Sequence, residues 1–412
     1  MSDGAMEARS TTTRRPRPRR LALGAAGLAI VVAAGLASCT GGDSGPGSAD
    51  ASRSASGIAS APVTTDRGPA PAARATTTGA VRVAPGAEPT DVVTGLDSPW
   101  SVVRLDSGSS FVSLRDTGRV VELTADGDVR DVAEIDGVVH QGEGGLLGLA
   151  VLAGSPSYLY AYATTDSDNR VLRAPITGTA GSYGLGPVEE VLTGVPKASN
   201  HDGGRLAFGP DGMLYVTTGD ANRGDEARDP DSLAGKILRL SPTGDVPTDN
   251  PMPGSPVYTL GHRNPQGIAW DGWGSMWAAE FGQDRWDELN AVSPGGDYGW
   301  PDVEGTSPSS DTLAPVLQWG TDDASPSGLT AVGSTLFLAG LGGERLFEIQ
   351  VPEAGVATAT ERFAGDDSLG RVRDVLPGPD GTLWLVTNNT DGRGDPRGGD
   401  DRIVSVPLSA LD

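Results

Sequence analysis

Six short apolar segments recur along the chain, and each joins a large apolar residue to a second apolar or aromatic one. Most of them follow a turn that contains Gly, Ser or Pro, as strands in a β-rich fold do. The six pairs are Phe111-Val112, Leu159-Tyr160, Leu214-Tyr215, Met276-Trp277, Leu336-Phe337 and Leu383-Trp384. They lie roughly 47 to 62 residues apart, a spacing typical of four-stranded propeller blades. No long window has helical periodicity, so the pattern predicts an all-β, six-bladed β-propeller.

Two of the repeats are nearly identical in form, since residues 209–216 read GPDGMLYV and residues 378–385 read GPDGTLWL. In each, Pro-Asp-Gly forms the turn of a hairpin, and the alternating apolar residues that follow pack blade against blade. A β-sandwich or a pair of β domains would also give short strands, but not six similar units at this spacing. Loops of a propeller carry function where they meet at the mouth of the central channel, so polar segments beside the repeats are the candidate sites.

The composition agrees with a turn-rich β fold. The chain has 412 residues, of which 37% are hydrophobic and 21% charged, and its 60 glycines and 31 prolines show no three-residue period. This composition is typical of a globular protein and excludes collagen. The formal net charge of −23 argues against nucleic acid as a partner, because such a surface repels phosphates. The acidic residues are spread along the chain, which indicates a solvated surface except where local clusters hold calcium.

The first 38 residues have the layout of a lipoprotein signal peptide. Five arginines between positions 14 and 20 precede an apolar run over 21–36, which ends in Leu36-Ala37-Ser38-Cys39. This ending resembles a bacterial lipobox, so we expect cleavage before Cys39, lipidation of that residue and a protein anchored to the cell membrane outside the cytoplasm. A spanning helix is the alternative, but roughly 16 residues fall short of the ~20 that a bilayer requires. The export route, general secretory or twin-arginine, stays open.

The remainder divides into a tether and a folded domain. Residues 39–88 are mostly Gly, Ser, Ala, Thr and Pro with few large apolar side chains, which predicts a disordered tether because the segment cannot offset its ordering entropy. Residues 89–412 are predicted to form the propeller. Cys39 is the only cysteine, which excludes both a disulfide within the chain and thiol catalysis.

His201 is the strongest candidate for chemistry among the three histidines. It lies in the loop Asn200-His201-Asp202-Gly203-Gly204, immediately before a repeat strand and outside any apolar run. An imidazole has an unperturbed pKa of ~6.5 and accepts a proton at neutral pH, so a loop histidine suits a general base. A surface histidine, or one that only makes hydrogen bonds, is the plainer alternative.

Two pairs of polar residues suit an anionic or oxygen-rich ligand. Arg263 and Asn264 lead into the fourth repeat, and Arg263 offers a planar fork for a carboxylate or quinone oxygen. Arg371 and Arg373 lie on the same side of an extended segment, where they could bind an anion together. Salt bridges to neighbouring acids are the alternative for both pairs.

An acidic loop is the candidate cation site. Residues 280–290 and 297–301 combine carboxylates with glycines and free backbone carbonyls, which suit calcium, although the spacing is not that of an EF-hand. An isolated acidic loop is more often plain surface. No phosphate-binding loop, dinucleotide fingerprint, zinc motif or Gly-x-Ser-x-Gly elbow occurs in the sequence.

Taken in order, these segments resemble the soluble glucose and aldose sugar dehydrogenases that depend on pyrroloquinoline quinone (PQQ), also called the glucose/sorbosone dehydrogenase family. The resemblance runs from about Gly95 to the end of the chain and rests on an ordered set of motifs. They are Ser98-Pro99-Trp100, Gly142-Glu143-Gly144-Gly145-Leu146-Leu147-Gly148, His201 with Gly204-Arg205-Leu206, Gly219-Asp220, residues 261–267, Glu288-Leu289-Asn290, Tyr298-Gly299-Trp300-Pro301 and Arg371-Val372-Arg373-Asp374.

The resemblance implies an oxidoreductase that converts an aldose to its lactone with PQQ and calcium as cofactors. His201 would take the proton of the anomeric hydroxyl while the hydride passes to the quinone. Arg263 and Asn264 would contact the quinone oxygens, which gives Arg263 a catalytic role as well. Arg371 and Arg373 would face the carboxylates of the cofactor. The electrons would leave to an external or membrane acceptor.

The resemblance also implies metal ligands and sugar contacts. Backbone carbonyls of Gly282 and Gln283 would hold the calcium that polarises the quinone. Glu288 and the carbonyl of Tyr298 match positions that bind a second, structural calcium in the aldose enzymes. Substrate contacts would be made by Glu143 and Asn200. The glucose enzymes have Gln at the first of these positions and Asp at the second.

One departure from the family motivates a different function. Where the family commonly has Ser-Leu-Lys before the turn of the fifth blade, this chain reads Gly340-Leu341-Gly342, and only Arg345 is near enough in sequence to replace the missing lysine. A non-catalytic, calcium-stabilised binding propeller that has lost the cofactor is therefore the alternative. A calcium-dependent lactonase is less suitable, because it would need its metal centred in the channel by side-chain carboxylates.

Overall fold

Antiparallel sheets account for the whole described architecture. In the computed structural model, which describes residues 79–307, 311–354 and 356–411, 26 short strands form six sheets and no α-helix occurs. Two 3₁₀ turns, Gly224–Glu226 and Gly365–Asp367, are the helical elements of this part of the chain. The predicted signal peptide, Cys39 and residues 40–78 of the predicted tether lie outside the described residues.

The strands follow one another in sheet order along the chain. They are β1 (Val81–Val83), β2 (Thr90–Val93), β3 (Pro99–Arg104), β4 (Ser110–Leu114), β5 (Arg119–Leu123), β6 (Val129–Glu134), β7 (Leu146–Leu152), β8 (Tyr158–Thr164), β9 (Asn169–Thr177), β10 (Gly184–Leu185), β11 (Glu189–Val195), β12 (Leu206–Phe208), β13 (Leu214–Thr218), β14 (Lys236–Leu240), β15 (Val257–Thr259), β16 (Pro265–Trp270), β17 (Met276–Glu280), β18 (Trp286–Val292), β19 (Leu317–Gly320), β20 (Pro326–Val332), β21 (Thr335–Gly340), β22 (Arg345–Gln350), β23 (Thr358–Arg362), β24 (Val372–Pro377), β25 (Thr382–Thr387) and β26 (Ile403–Ala410).

The six sheets are arranged as the blades of a propeller. Five blades are consecutive in the chain, namely β3–β6, β7–β11, β12–β15, β16–β19 and β20–β23, and the sixth combines β24–β26 with β1 and β2. The first strand of each blade contacts the first strand of the next, and the contact between β24 and β3 closes the ring. The predicted all-β, six-bladed β-propeller is confirmed.

The six apolar pairs of the sequence occupy equivalent positions, because each lies in the second strand of its blade. Successive side chains of a strand point to opposite faces of the sheet. Leu214 accordingly packs with Tyr160 and Tyr162 of the preceding blade, whereas Tyr215 packs with Ile268 of the following blade. The pair therefore recurs because each blade must bury one face against each neighbour.

The propeller begins earlier than predicted. Val81–Val83 lies inside the predicted tether of 39–88, yet it pairs with the last strand in the register Val81↔Ala410, and the backbone N–H of Val83 donates to Glu348 Oε2 at 2.9 Å. The boundary at residue 88 is therefore wrong. Three residues are too few to show alternation in a sequence, but here they complete the outer edge of the last blade and join the first described strand to the last one.

No helix among the described residues is long and apolar enough to cross a membrane.

Candidate active site

The predicted site residues come together because each lies in the loop just before the innermost strand of its blade. Glu143 precedes β7, His201 precedes β12, Asn264 precedes β16 and Arg371 precedes β24. The start of every innermost strand lies at the same end of the ring, so these loops meet at one mouth of the central channel. The result is a site assembled from four blades.

Two adjoining clefts open at this mouth. The first, called here the histidine cleft, has a volume of about 560 Å³ and is lined by His201, Asp220, Asn222, Gln283, Trp300 and Glu304, among others. The second, the arginine cleft, has a volume of about 170 Å³ and is lined by Trp100, Glu143, Gln266, Arg371, Arg373 and Arg393, among others. Glu143 connects the two, because it also contacts the backbone of His201.

His201 is held rigidly by an acidic partner. Its Nδ1 lies 2.7 Å from Oδ1 of Asp220, and its backbone has a φ of +64°, a left-handed conformation that a non-glycine residue rarely adopts. The side chain of Asp220 also accepts hydrogen bonds from the indole Nε1 of Trp300 at 2.8 Å and from the backbone of Asn222 at 2.8 Å. The ring of His201 is therefore fixed in orientation.

The ionisation of Asp220 decides which nitrogen of His201 carries the proton. Burial opposes ionisation of this carboxyl, but the hydrogen bonds and charge of His201, with the hydrogen bond from Trp300, outweigh it and hold the pKa of Asp220 below its ordinary value. A carboxylate only accepts hydrogen bonds, so Nδ1 of His201 is the donor. The lone pair then resides on Nε2, for which no described residue supplies a hydrogen-bond partner.

The predicted sugar contact Glu143 and cofactor contact Asn264 share one network with His201. Oε2 of Glu143 accepts the backbone N–H of His201 at 3.0 Å and the side-chain amide of Asn264 at 3.4 Å. The other end of Asn264 accepts the backbone N–H of Gly203 at 3.0 Å. Asn200, the second predicted sugar contact, accepts a hydrogen bond from Asn222 at 2.8 Å at the rim of the histidine cleft.

Arg263 is partly buried and has donors to spare. Its guanidinium lies 5.5 Å from the centre of the Trp300 ring and makes one long hydrogen bond, 3.4 Å, to the carbonyl of Phe281. Its Nε is buried and has no partner among the described residues. Burial lowers the pKa of Arg263, although the charges of Asp220 and Glu143 oppose the shift. A partly buried cation with an unused buried donor suits an oxygen-bearing ligand.

Arg371 and Arg373 line the arginine cleft together. Arg373 is 3% exposed, and its guanidinium donates only to neutral acceptors on Asn388, Gln266 and Ser327. Burial and the charges of Arg115 and Arg371 lower the pKa of Arg373 to about 9. Arg371 has a weak pairing with Asp391 at 3.4 Å, and its Nε is buried without a partner in the described structure.

Arg345, the predicted substitute for the missing lysine, contributes no cation to this cleft. Arg345 pairs with Glu361 at 2.9 Å and does not line the arginine cleft. A Cβ on Gly342 would lie 2.4 Å from Oγ of Ser325, so a side chain at this position would require the serine hydroxyl to move. The third arginine of the cleft is Arg393, which lies in the polar loop between β25 and β26 and belongs to none of the sequence motifs.

The predicted calcium loop is organised by two carboxylates. Oε1 of Glu304 accepts the backbone N–H groups of residues 283–286 at 2.7 to 3.2 Å, and Asp287 accepts that of Gly282 at 2.9 Å. With their N–H groups occupied in this way, Gly282 and Gln283 have carbonyls that accept no hydrogen bond from the described residues. Such a pair of free carbonyls is a suitable oxygen source for calcium.

The second predicted metal position lies in a buried acidic pocket. Glu288 and Tyr298 line it together with Glu280, and Nδ2 of Asn290 donates to both glutamates at 3.1 Å. Burial, together with the charge of Glu280, raises the pKa of Glu288 to about 8. Oδ1 of Asn290 is buried, and none of the described residues supplies a hydrogen-bond partner for it. No three His, Cys, Asp or Glu side chains of the described residues converge as a metal site, so any cation here needs carbonyl or amide oxygens as well.

Comparison with known proteins agrees with this geometry. Residues 96–395 match the glucose/sorbosone dehydrogenase family. The chain is 30% identical over 339 residues to the aldose sugar dehydrogenase YliI of Escherichia coli (strain K12), a match that covers 72% of this chain and 89% of that protein. It is 31% identical over 250 residues to quinoprotein glucose dehydrogenase B of Acinetobacter calcoaceticus, where the match spans only about half of each protein, 52%.

A solved structure extends the comparison to the fold. The PQQ-bound form of aldose sugar dehydrogenase from Streptomyces coelicolor superposes with a TM-score of 0.75 at 45% sequence identity and covers 82% of this chain and 100% of its own. The family match spans well over half of the chain and includes every predicted site residue of the propeller. The chain therefore belongs to the glucose/sorbosone dehydrogenase family.

Proposed function

We propose that the protein is a sugar dehydrogenase that oxidises the anomeric C1 hydroxyl of an aldose to the lactone, with calcium-bound PQQ as the electron acceptor in the site. The observation that carries the proposal is the 2.7 Å contact between His201 and Asp220, which leaves Nε2 of the imidazole without a described partner beside an open cleft. Family membership supports the reaction class.

His201 acts as the general base. Asp220 fixes the tautomer with the proton on Nδ1, so Nε2 receives the proton of the C1 hydroxyl as the C1–O bond gains double-bond character. Asp220 then stabilises the imidazolium that forms, in the manner of a carboxylate–histidine pair. The rigid backbone of His201, tied by its N–H to Glu143, keeps the base in place during the reaction.

The donor set of the site fits PQQ, a planar quinone with three carboxylates. Asn264 is linked to His201 through Glu143, and the carbonyl of Arg263 accepts the backbone N–H of Asp220. Both side chains would bind the quinone oxygens and oppose the negative charge that develops there. Arg371 and Arg373 would bind carboxylates at the other end, in the arginine cleft. The buried, unpartnered Nε atoms of Arg263 and Arg371 support an oxygen-rich ligand. The chemistry that bound PQQ and calcium would supply to this site is acceptance of the C1 hydride by a quinone made more electrophilic by the metal.

Calcium would be held by oxygen atoms of the loop that Glu304 organises. The carbonyls of Gly282 and Gln283 would supply protein ligands, and their loop lines the histidine cleft beside His201. A second calcium would bind Glu288 and the carbonyl of Tyr298, where it would relieve the repulsion between Glu288 and Glu280. Its role would be structural, because this pocket has a volume of only about 10 Å³ and is too small for a sugar or a quinone.

The substrate contacts and the cellular setting complete the proposal. Near His201, Glu143 would accept hydrogen bonds from sugar hydroxyls, and Asn200 would accept or donate them. The lipobox predicts an exported protein anchored to the cell membrane through Cys39, outside the cytoplasm, from which electrons pass to an external or membrane acceptor. The strong net negative charge of −23 is inconsistent with nucleic acid binding.

The test is reconstitution. The purified protein is loaded with calcium and PQQ, and reduction of an artificial electron-accepting dye is followed with a panel of aldoses. We expect turnover with at least one aldose and its loss in His201→Gln, whereas His140→Gln, which changes a histidine outside both clefts, should behave as wild type. Absence of turnover in the loaded wild-type protein with every aldose would contradict the proposal and favour the binding propeller.

A further inference from the structure

We propose that Arg393 is a third cation that binds the carboxylates of the cofactor, and that it leaves Glu143 in order to do so. This inference rests on the proposed function and deepens it, because it makes cofactor loading prepare the place where the sugar binds. Arg393 lies on the loop between β25 and β26, and its NH1 is 3.5 Å from Oε1 of Glu143.

The arginine cleft has a net positive charge, which suits an anionic ligand. Three guanidinium groups line it, those of Arg371, Arg373 and Arg393, and Glu143 is the one acid among the described residues that line it. In a chain with a net charge of −23, this is a local excess of positive charge. A dianionic or trianionic ligand of the cleft's size is the chemical class that would balance it.

Of the three arginines, Arg373 is the one whose charge is least compensated by carboxylates. A buried charge is ordinarily paired with an opposite one, but the guanidinium of Arg373 is bound by two amides and a hydroxyl and by no carboxylate. Arg371 is better compensated, since Asp391 lies 3.4 Å away. The pocket is therefore electrostatically incomplete without an anion.

The side chain of Arg393 can reorient toward an anion bound in the cleft. Its backbone N–H donates to Oδ1 of Asp391 at 3.0 Å, while Oδ2 of the same carboxylate faces Arg371, so one aspartate sets the positions of both arginines at the cleft. The side chain of Arg393 remains 48% exposed. Its backbone is thus anchored at the cleft while its guanidinium is free to reorient.

The ion pair between Arg393 and Glu143 is suited to exchange. At 3.5 Å, with Arg393 half exposed and Glu143 22% exposed, it is a weak pair. A carboxylate of the ligand entering the cleft would repel Glu143 and attract Arg393. Oε2 of Glu143 is kept in place by the backbone of His201, so the departure of Arg393 frees Oε1 to accept a hydrogen bond from a sugar hydroxyl next to the base.

The experiment measures PQQ binding directly rather than turnover. PQQ is titrated into the calcium-loaded full protein, and quenching of tryptophan fluorescence, to which Trp100 in the cleft contributes, gives the dissociation constant. The variants are Arg393→Gln and Arg393→Lys, and Arg345→Gln is the matched control because it removes the same charge from a neighbouring blade. Each is measured at low and high salt.

We expect Arg393→Gln to weaken PQQ binding by about tenfold, because one charge-assisted contact is lost. Arg393→Lys should retain part of the affinity, Arg345→Gln should match wild type, and the salt dependence should decrease only when Arg393 is neutralised. Equal affinities for Arg393→Gln and the control would overturn this inference and leave the proposed function intact. A wild-type protein that does not bind PQQ would overturn both.

The exchange itself is tested by a double-mutant cycle. Glu143→Gln removes both the repulsion of the ligand and the ion pair that must break, so it should tighten PQQ binding in the wild-type background. In the Arg393→Gln background no pair remains to be broken, and the same substitution should tighten binding less. Equal effects in the two backgrounds would show that Arg393 does not leave Glu143, and would overturn the exchange.

Discussion

The carboxylate of Asp220 lies 2.7 Å from Nδ1 of His201, and this contact decides which nitrogen of the imidazole can act as a base. A second interaction, the hydrogen bond from Trp300 to Oδ2, orients the carboxylate itself. The base is therefore the end of a chain of contacts from Trp300 through Asp220 to His201, and each member is testable.

Asp220→Asn should leave PQQ binding nearly unchanged and lower kcat by about 10² to 10⁴, because an amide in this position can donate to Nδ1 and favours the wrong tautomer. The measurement is steady-state turnover together with the PQQ dissociation constant for the same variant. A variant with wild-type kcat would show that the tautomer is not set by Asp220.

Glu304→Gln should weaken calcium binding, because the carboxylate that gathers the N–H groups of residues 283–286 loses its charge and the carbonyls of Gly282 and Gln283 lose their alignment. Calorimetric titration with calcium measures the effect, expected at about tenfold in affinity, by analogy with other outer-shell residues of metal sites. Asp302→Asn, which neutralises an exposed acid of the same cleft, is the control. Equal calcium affinities for the two variants would contradict the role given to this loop.

Asp202→Asn should change how stability depends on pH. Burial raises the pKa of Asp202 to about 6 from its ordinary 3.8, despite hydrogen bonds from Asn169 and Ala198, and its Oδ2 is buried without a partner among the described residues. The folded pKa exceeds the unfolded one, so the stabilising contribution is complete below the unfolded value and is lost as the pH rises through about 6.

Urea unfolding at pH 4.5 and pH 7.5 measures this effect. Relative to Asp202→Asn, the wild-type free energy of unfolding should fall by roughly 2 kcal/mol between the two pH values. Groups that titrate in both proteins cancel in the difference. Parallel pH profiles for the two proteins would mean that Asp202 is already ionised in the folded state at pH 4.5.

Gly219→Ala should displace His201. A Cβ at this position would lie 1.9 Å from the carbonyl oxygen of His201, which is too close for any side chain, so the backbone of the catalytic loop must move. We expect a loss of about 1 to 3 kcal/mol in the free energy of unfolding and a large loss of kcat. The control is Gly398→Ala, whose Cβ would meet no atom within 4 Å. Wild-type stability and turnover for Gly219→Ala would contradict the close packing described here.

Most of the fold can be predicted from the sequence, because the second strand of every blade packs in the same way against the two neighbouring blades. Pairs such as Leu214-Tyr215 can be recognised in isolation, since a second strand must bury both of its faces. The strand Val81–Val83 could not be recognised, because it pairs with the last strand, in the register Val81↔Ala410, only when the ring of blades closes. Local pattern predicts the blades, and only the closed ring shows how the first strand completes the last blade.

The site divides in the same way. His201, Arg263 and Arg371 can be singled out because each stands just before a repeat strand. Glu304 and Arg393 could not, because their contacts arise when separate loops meet. Trp300 stands in a recognisable motif, but its role does not follow from the sequence, because the aspartate that it binds is 80 positions away. The sequence thus shows which segments carry polar residues for chemistry, whereas the contacts that position these residues follow only from the folded protein.

The most direct test of the proposed function is a single-turnover experiment without external acceptor. The calcium- and PQQ-loaded protein is mixed with an aldose carrying hydrogen or deuterium at C1, and reduction of the bound quinone is followed by its absorbance. We predict that reduction is slower with deuterium, and that His201→Gln binds PQQ normally but reduces it at least about 10² times more slowly. Reduction at the wild-type rate in His201→Gln, or no reduction in the wild-type protein, would contradict the account.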